Sequence, residues 1–151
     1  EKFDYNNSGY VVLGYLIELV SGETYEDFIK KYIFEKVGMS QSYYASDRQV
    51  ISNRAYGYHK KEYGFVNKTV ISFSVPFSSG SLMSSLADML KWQNAITKNT
   101  LLNKLFTEKA FTNYELNDGS KIGYGYGWHI EKIKNKIGCD FNFLACSMYI
   151  T

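Results

Sequence analysis

Pro76 is the only proline in the 151 residues, and no low-complexity linker or internal repeat interrupts the sequence. Cysteine and histidine are nearly as scarce, at two each. Cys139, Cys146, His59 and His129 are too few and too scattered for a metal site, so no metal and no cofactor is expected. In one extended strand the two cysteines would stand about 23 Å apart at ~3.3 Å per residue, beyond disulfide reach; only a hairpin would bring them together. The net charge is +2, which is too small to argue for a nucleic-acid partner or a membrane surface. No run of 18 apolar residues is present, so no transmembrane segment is expected. The chain starts at Glu1, without a signal-peptide pattern and directly in dense structural sequence. We therefore expect an N-terminal part to precede it.

Hydrophobic residues make up 45% and charged residues 21%, the balance of a globular chain with a core. Lysines come as pairs or spaced singles, such as Lys30-Lys31, Lys60-Lys61 and Lys132/Lys134/Lys136, and read as solvated faces. Aromatic content is high at 17%, with 14 Tyr and 10 Phe. Tyrosine-rich surfaces can hold sugars or peptides. The simpler expectation is that most of these rings are core.

The pattern predicts a buried helix over 8–20, apolar all round apart from Glu18, capped by Ser8 or Asn7 and ended by Gly22. A second helix is expected over about 23–35, opened by a Thr24/Asp27 capping box and broken at Gly38. Residues 40–62 read as a long mixed loop with short helical pieces, and 65–73 as a short strand. Pro76-Phe77-Ser78-Ser79-Gly80 marks a turn. Ser85 with Asp88 opens a helix over about 86–98, with Lys98 at its negative end. A short helix is expected within 101–111, and a turn at Asn117-Asp118-Gly119-Ser120. Strand chemistry takes over from Tyr124 to Ile130, with a tight turn near Asn135 and a last strand over 141–150. Helices first and strands last define an α+β chain, with about 1–115 a helical lobe and about 120–151 sheet strands of one incomplete domain.

The first candidate for chemistry is Tyr5-Asn6-Asn7. In an extended segment residues i and i+2 share a side, which would point Tyr5 and Asn7 into one cleft. A phenol titrates near 10 and serves as a base only where cations lower that value. A carboxamide both donates and accepts, which suits an amide or lactam. The same tripeptide also fits a purely local use, with Asn6 and Asn7 in an Asx-turn capping the next helix and Tyr5 as a core ring or staple.

Five segments in order widen the view. FDYNNSGYVVLGYLIELVSG resembles the second motif region of class C β-lactamases, the related D-Ala-D-Ala carboxypeptidases and the esterases on the same fold. There a Tyr-x-Asn precedes Gly-Tyr, an apolar helix and Ser-Gly. IFEKVGMSQSYY resembles the family's F-x-P-L-G-M-x-x-T, RAYGY its A-x-G-Y, SSGSLMSSLADMLKW its G-G-L-x-S-T-x-x-D-L-x-x-W, and GYGYGWHI its Y-G-Y-G-W strand. The resemblance covers nearly the whole chain. It implies a partial β-lactamase/transpeptidase-like fold, a helical lobe plus a few antiparallel strands.

By the same resemblance Tyr5 is the catalytic tyrosine that assists proton transfer, and Asn7 is the substrate-binding residue that grips the amide. Gly80 and Ser81 fall on a structural small-residue turn, and Asp88 on an acid that we expect to satisfy the start of its helix. The implied partner is a small-molecule or cell-wall peptide substrate. The implied location is periplasmic, extracellular or at the cell envelope. Oligomeric state stays open, as does the choice among lactam, D-Ala peptide, ester and amide.

The family's nucleophile is the serine of a Ser-x-x-Lys motif, activated by a lysine one helical turn on. No serine in this sequence has lysine three positions later. The family's Lys-Thr-Gly or His-x-Gly strand is also lacking. The corresponding stretch reads Lys136-Ile137-Gly138-Cys139-Asp140-Phe141, as if a loop were deleted or the reading frame broken. We therefore expect a piece of a serine hydrolase that is inactive alone, its serine encoded upstream. The alternative is a non-catalytic module that binds cell-wall peptide or glycan on the same scaffold.

Overall fold

The computed structural model of the chain describes residues 1–46, 48–69, 72–133 and 136–141, the last of these and 131–133 by backbone only. Helix α1 spans Asn7–Ser21. Its cap is Asn6, whose side chain accepts from the Ser8 N–H at 2.6 Å. The cap thus falls one residue before Asn7, because Asn6 keeps extended backbone (φ −145°, ψ 122°) while Asn7 is already helical. Gly22 ends the helix at φ 71°, with its N–H on the Glu18 carbonyl.

A continuous helical run follows, α2 over Tyr25–Ile29, a π-helical turn over Lys30–Phe34, and α3 over Glu35–Val37. The expected capping box is formed, with Thr24 Oγ1 accepting from the Asp27 N–H and donating to the Asp27 carboxylate. The Glu35 N–H reaching back to the Lys30 carbonyl marks the widened turn. Gly38, at φ 73°, closes the run.

The stretch read as a loop over 40–62 contains two strands. Strand β1 (Ser42–Tyr44) pairs antiparallel with β4 (Leu82–Ser84), Tyr43 opposite Met83. Strand β2 (Tyr58–Lys61) forms a hairpin with β3 (Gly64–Asn67), Lys60 opposite Phe65. The strand expected over 65–73 is therefore shorter and begins earlier. A 3-10 turn occupies Phe77–Ser79. Helix α4 spans Leu86–Thr97 with Ser85 as its cap and Lys98 at its end, and α5 spans Lys104–Ala110 behind Asn103. The hairpin of β5 (Trp128–Ile133) and β6 (Lys136–Phe141) closes the described chain. The strand expected from Tyr124 thus starts four residues later. The expected turn at Asn135, the last strand over 141–150 beyond Phe141, and Cys146 lie outside the described residues.

The main core gathers Tyr25, Ile29, Phe34 and Met39, with Ile17, Phe77 and Trp92 packed on it. A smaller cluster of Ala45, Phe73 and Met83 lies behind β4. Helix α1 meets the Phe77–Ser79 turn through Gly14, its one buried residue. The rest corrects the expectation of a buried helix, for Leu19 is 82% and Val20 79% exposed. Hydropathy all round a helix makes burial favourable but does not supply a neighbour for each face. The expectation that most aromatic rings are core is likewise corrected for tyrosine. Tyr25 and Tyr124 are buried, while Tyr15, Tyr56, Tyr58, Tyr63, Tyr114 and Tyr126 are exposed.

Asp88 differs most from its expected use. Its N–H does meet the Ser85 hydroxyl, at 3.2 Å. Its carboxylate turns away from the helix start, accepting from the Gln41 N–H at 2.6 Å, the Ser42 hydroxyl at 2.9 Å and the Lys91 ammonium at 2.7 Å. The residue is 1% exposed. It ties α4 to the β1–β4 sheet. Ser81, fully buried, donates its hydroxyl to the Phe73 carbonyl, a structural role in keeping with its place in a small-residue turn.

Candidate active site

Tyr5 lies in the extended segment just before α1, and Asn7 is the first residue of that helix. The i, i+2 spacing brings them together, with the Tyr5 hydroxyl donating to Asn7 Oδ1 at 3.0 Å. Asn6, between them, faces the other way and is consumed by the cap. The local reading holds at Asn6, which caps the helix, but not at Asn7, which accepts from Tyr5 instead, nor at Tyr5, which is no core ring. Tyr5 is 37% exposed, so the pair stands at a surface open to a ligand.

The second wall comes from the glycine-rich segment just before β5. Tyr124 presents its ring to Tyr5 edge-on, centroids 6.1 Å apart, and packs on Phe3 at 5.5 Å and His129 at 5.3 Å. Its hydroxyl meets that of Tyr10 at 3.0 Å. The N-terminal segment is tied down further by Glu1, whose carboxylate accepts from the Asn117 N–H at 2.9 Å. Gly127, at φ 81°, adopts backbone that a side chain resists, and a Cβ there would sit 3.3 Å from the Tyr10 hydroxyl. The Tyr-Gly-Tyr-Gly-Trp sequence thus has a spatial reason, since Gly127 lets the segment lie close to Tyr10 of α1 and Gly125 lets it lie against the Ala110 carbonyl at the end of α5. Sequence reasoning placed Tyr124 on a strand but missed its contact with Tyr5. The repeated glycine was the available signal.

Beyond Tyr124 and Tyr10 opens an apolar cleft of about 480 Å³, lined by Leu82, Trp92, Phe106, Phe111 and Trp128 among others. The electrostatics of the pair are simple. Burial pushes the Tyr5 phenol up from its ordinary value, and Tyr124 beside it adds to the rise. Burial, with the Tyr10 hydroxyl, pushes Tyr124 up further. Among the described residues no ammonium or guanidinium acts on Tyr5 to bring it down. Nor do any three His, Cys, Asp or Glu side chains gather as a metal site among them.

The helices followed by short antiparallel strands make a β-lactamase/transpeptidase-like fold. The family model described as Beta-lactamase matches residues 1–140, and the chain belongs to that family. It is 31% identical over 148 residues to penicillin-binding protein 4* of Bacillus subtilis, covering 90% of this chain and 33% of that protein. Among solved structures it resembles an octameric penicillin-binding protein homologue from Pyrococcus abyssi, with TM-score 0.70 and 31% identity over 91% of this chain and 32% of that one. A penicillin-binding protein from Bacillus halodurans superposes with TM-score 0.73 at 28% identity, covering 91% of this chain and 42% of that one. The chain thus spans about a third of the curated relative's length. Among the described residues no helix is long and apolar enough to cross a membrane.

Proposed function

We propose that the chain is one part of a serine hydrolase acting by acyl transfer on a lactam, peptide or ester bond, and that it does not turn over substrate alone. The observation that carries this reading is the Tyr5–Asn7 pair, a hydroxyl and a carboxamide held 3.0 Å apart on an open surface. In it Asn7 grips the substrate amide and Tyr5 moves the proton. The serine and lysine come from sequence outside these 151 residues, since no serine within them has lysine three positions on. A tyrosine assists proton transfer only when cations lower its pKa, and here burial and Tyr124 raise it. The lysine of the nucleophile motif and the cation of a third motif are the groups that would reverse that direction. A small-molecule or cell-wall peptide substrate then lies between Asn7 and the Tyr124 wall.

The test begins with the coding sequence on both sides of this frame, where an in-frame Ser-x-x-Lys upstream is expected. The 151-residue chain and the protein extended to include that motif are then incubated with a fluorescent penicillin. Covalent labelling is expected of the extended protein only, and is expected to fall at least tenfold with Tyr5→Phe. Labelling of the 151-residue chain, or an extended protein whose labelling ignores Tyr5 and Asn7, would overturn the assignment. Binding of muropeptides without any upstream Ser-x-x-Lys would favour a non-catalytic binding module.

A further inference from the structure

The β2–β3 hairpin is the part of the molecule for which neither the fold nor the site accounts. Every residue of it is exposed except the half-buried Val66. Glu62 and Tyr63 turn the chain, and Gly64 at φ 126° takes the backbone that a side chain would resist. The register puts Tyr58, Lys60 and Phe65 on one face, since Lys60 is opposite Phe65 and two residues from Tyr58. His59, Lys61 and Val66 take the other. At the tip Tyr63 is 81% exposed, and Phe65 beside it 74%. Four cations and one acid fall between Arg54 and Lys68, so this short stretch is more positive than the whole chain at +2.

A hairpin that leaves large rings in water on both sides of its turn forgoes the burial that normally stabilises such residues. We propose that it docks on an anionic lipid surface. Tyr63 and Phe65 enter the headgroup region, and Lys60 and Lys61 meet lipid phosphates from the two faces. Charge complementarity selects this occupant. A tyrosine with a polar tip and an apolar phenylalanine near it, flanked by lysines, match the chemistry of a membrane interface. Lys60 and Lys61 form no ion pair with an acid among the described residues.

The test is flotation of the 151-residue chain with phosphatidylcholine vesicles, with and without phosphatidylglycerol. Binding is expected only with the anionic lipid and is expected to weaken with added salt. Lys60→Glu with Lys61→Glu should weaken it on the order of tenfold or more. Tyr63→Ser with Phe65→Ser should also weaken it while leaving the salt dependence in place. Because these side chains are exposed, circular dichroism of both variants should match the parent. Equal binding to uncharged vesicles, or none to anionic ones, overturns the proposal. So does binding to soluble dextran sulfate but not to vesicles. Binding lost with Leu19→Ser and Val20→Ser on α1, yet kept in the hairpin variants, would assign the affinity to α1 and overturn it equally.

Discussion

The Ser42 hydroxyl donates to the Asp88 carboxylate at 2.9 Å, across 46 residues of chain. The neighbouring Gln41 N–H reaches the same oxygen at 2.6 Å, while Lys91 takes the other. Asp88 therefore does for the start of the β1–β4 sheet what a cap does for a helix end, accepting from the backbone N–H and the hydroxyl at its edge. Asp88→Ala leaves the Gln41 N–H without its acceptor, while Ser42 keeps the Ser84 hydroxyl and Lys91 the Gly38 carbonyl, and should lower unfolding free energy by about 2 kcal/mol. Asp88→Asn keeps an acceptor but drops the charge facing Lys91, and should cost about 1 kcal/mol. Urea unfolding of the two variants checks both the loss and its order.

Asp88 also sets a pH dependence. Burial alone would raise its pKa, but the Lys91 ammonium, the Gln41 N–H and the Ser42 hydroxyl outweigh it and hold the carboxyl below its ordinary range. The unfolded chain then binds the proton more readily than the folded one. This stability is fully present above the unfolded value of about 4 and is lost as pH falls through the folded value beneath it. Urea midpoints should stay level from neutral pH to about 5 and drop below 4, with a shallower drop in Asp88→Asn. An equally steep fall in that variant would place the effect on other carboxylates.

Thr24, Ser85, Gly22 and Gly38 were legible in the sequence because each closes a bond within a few residues of itself. The same locality made Tyr5 and Asn7 legible as a pair. Asp88 was not, because the donors that draw its carboxylate away from the helix start lie on β1, and spacing alone says nothing of them. Strand β1 was hidden for a related reason. A three-residue strand such as Ser42–Tyr44 has too few positions to show alternation, and its partner β4 lies some forty residues on. The exposure of α1 was illegible in another way. Hydropathy reports what a face can bury, not what lies against it.

Tyr5 should titrate as a phenol harder to ionise than a free one. Burial and Tyr124 both act in that direction. With tyrosine rings labelled at Cζ and Tyr5 assigned through Tyr5→Phe, its NMR titration should be centred above about 10. Tyr124→Leu removes the neighbouring phenol and should bring Tyr5 back toward the ordinary value. A midpoint below 10 in the parent chain would mean that a cation reaches Tyr5 after all, and would remove the case for cations supplied from elsewhere.

The apolar exposure of α1 separates solubility from stability. Leu19 and Val20 touch little, so Leu19→Lys and Val20→Glu should change unfolding free energy by no more than about 0.5 kcal/mol. The same changes should reduce light scattering by concentrated protein, because they break up an exposed apolar patch. A large loss of stability would show that these side chains are packed in solution, by self-association or otherwise.

Gly14 offers the sharpest test of how α1 is seated. In an exposed helix Gly→Ala gains about 1 kcal/mol from propensity alone. Here an added Cβ would run into the Cβ and Oγ of Ser78 and come within 2.8 Å of the Phe77 ring. The Ser78 hydroxyl cannot simply withdraw, because it donates to the Tyr10 carbonyl at 2.7 Å and ties the turn to the helix. Gly14→Ala should therefore destabilise the chain by about 1–3 kcal/mol despite the better propensity. Ser78→Gly in the same chain should recover part of that loss by making room, although on its own it removes a hydrogen bond. A double-mutant cycle by urea unfolding measures the coupling between positions 14 and 78. A coupling near zero would mean that α1 does not rest on the Phe77–Ser79 turn, and that the seat of the Tyr5–Asn7 pair lies elsewhere.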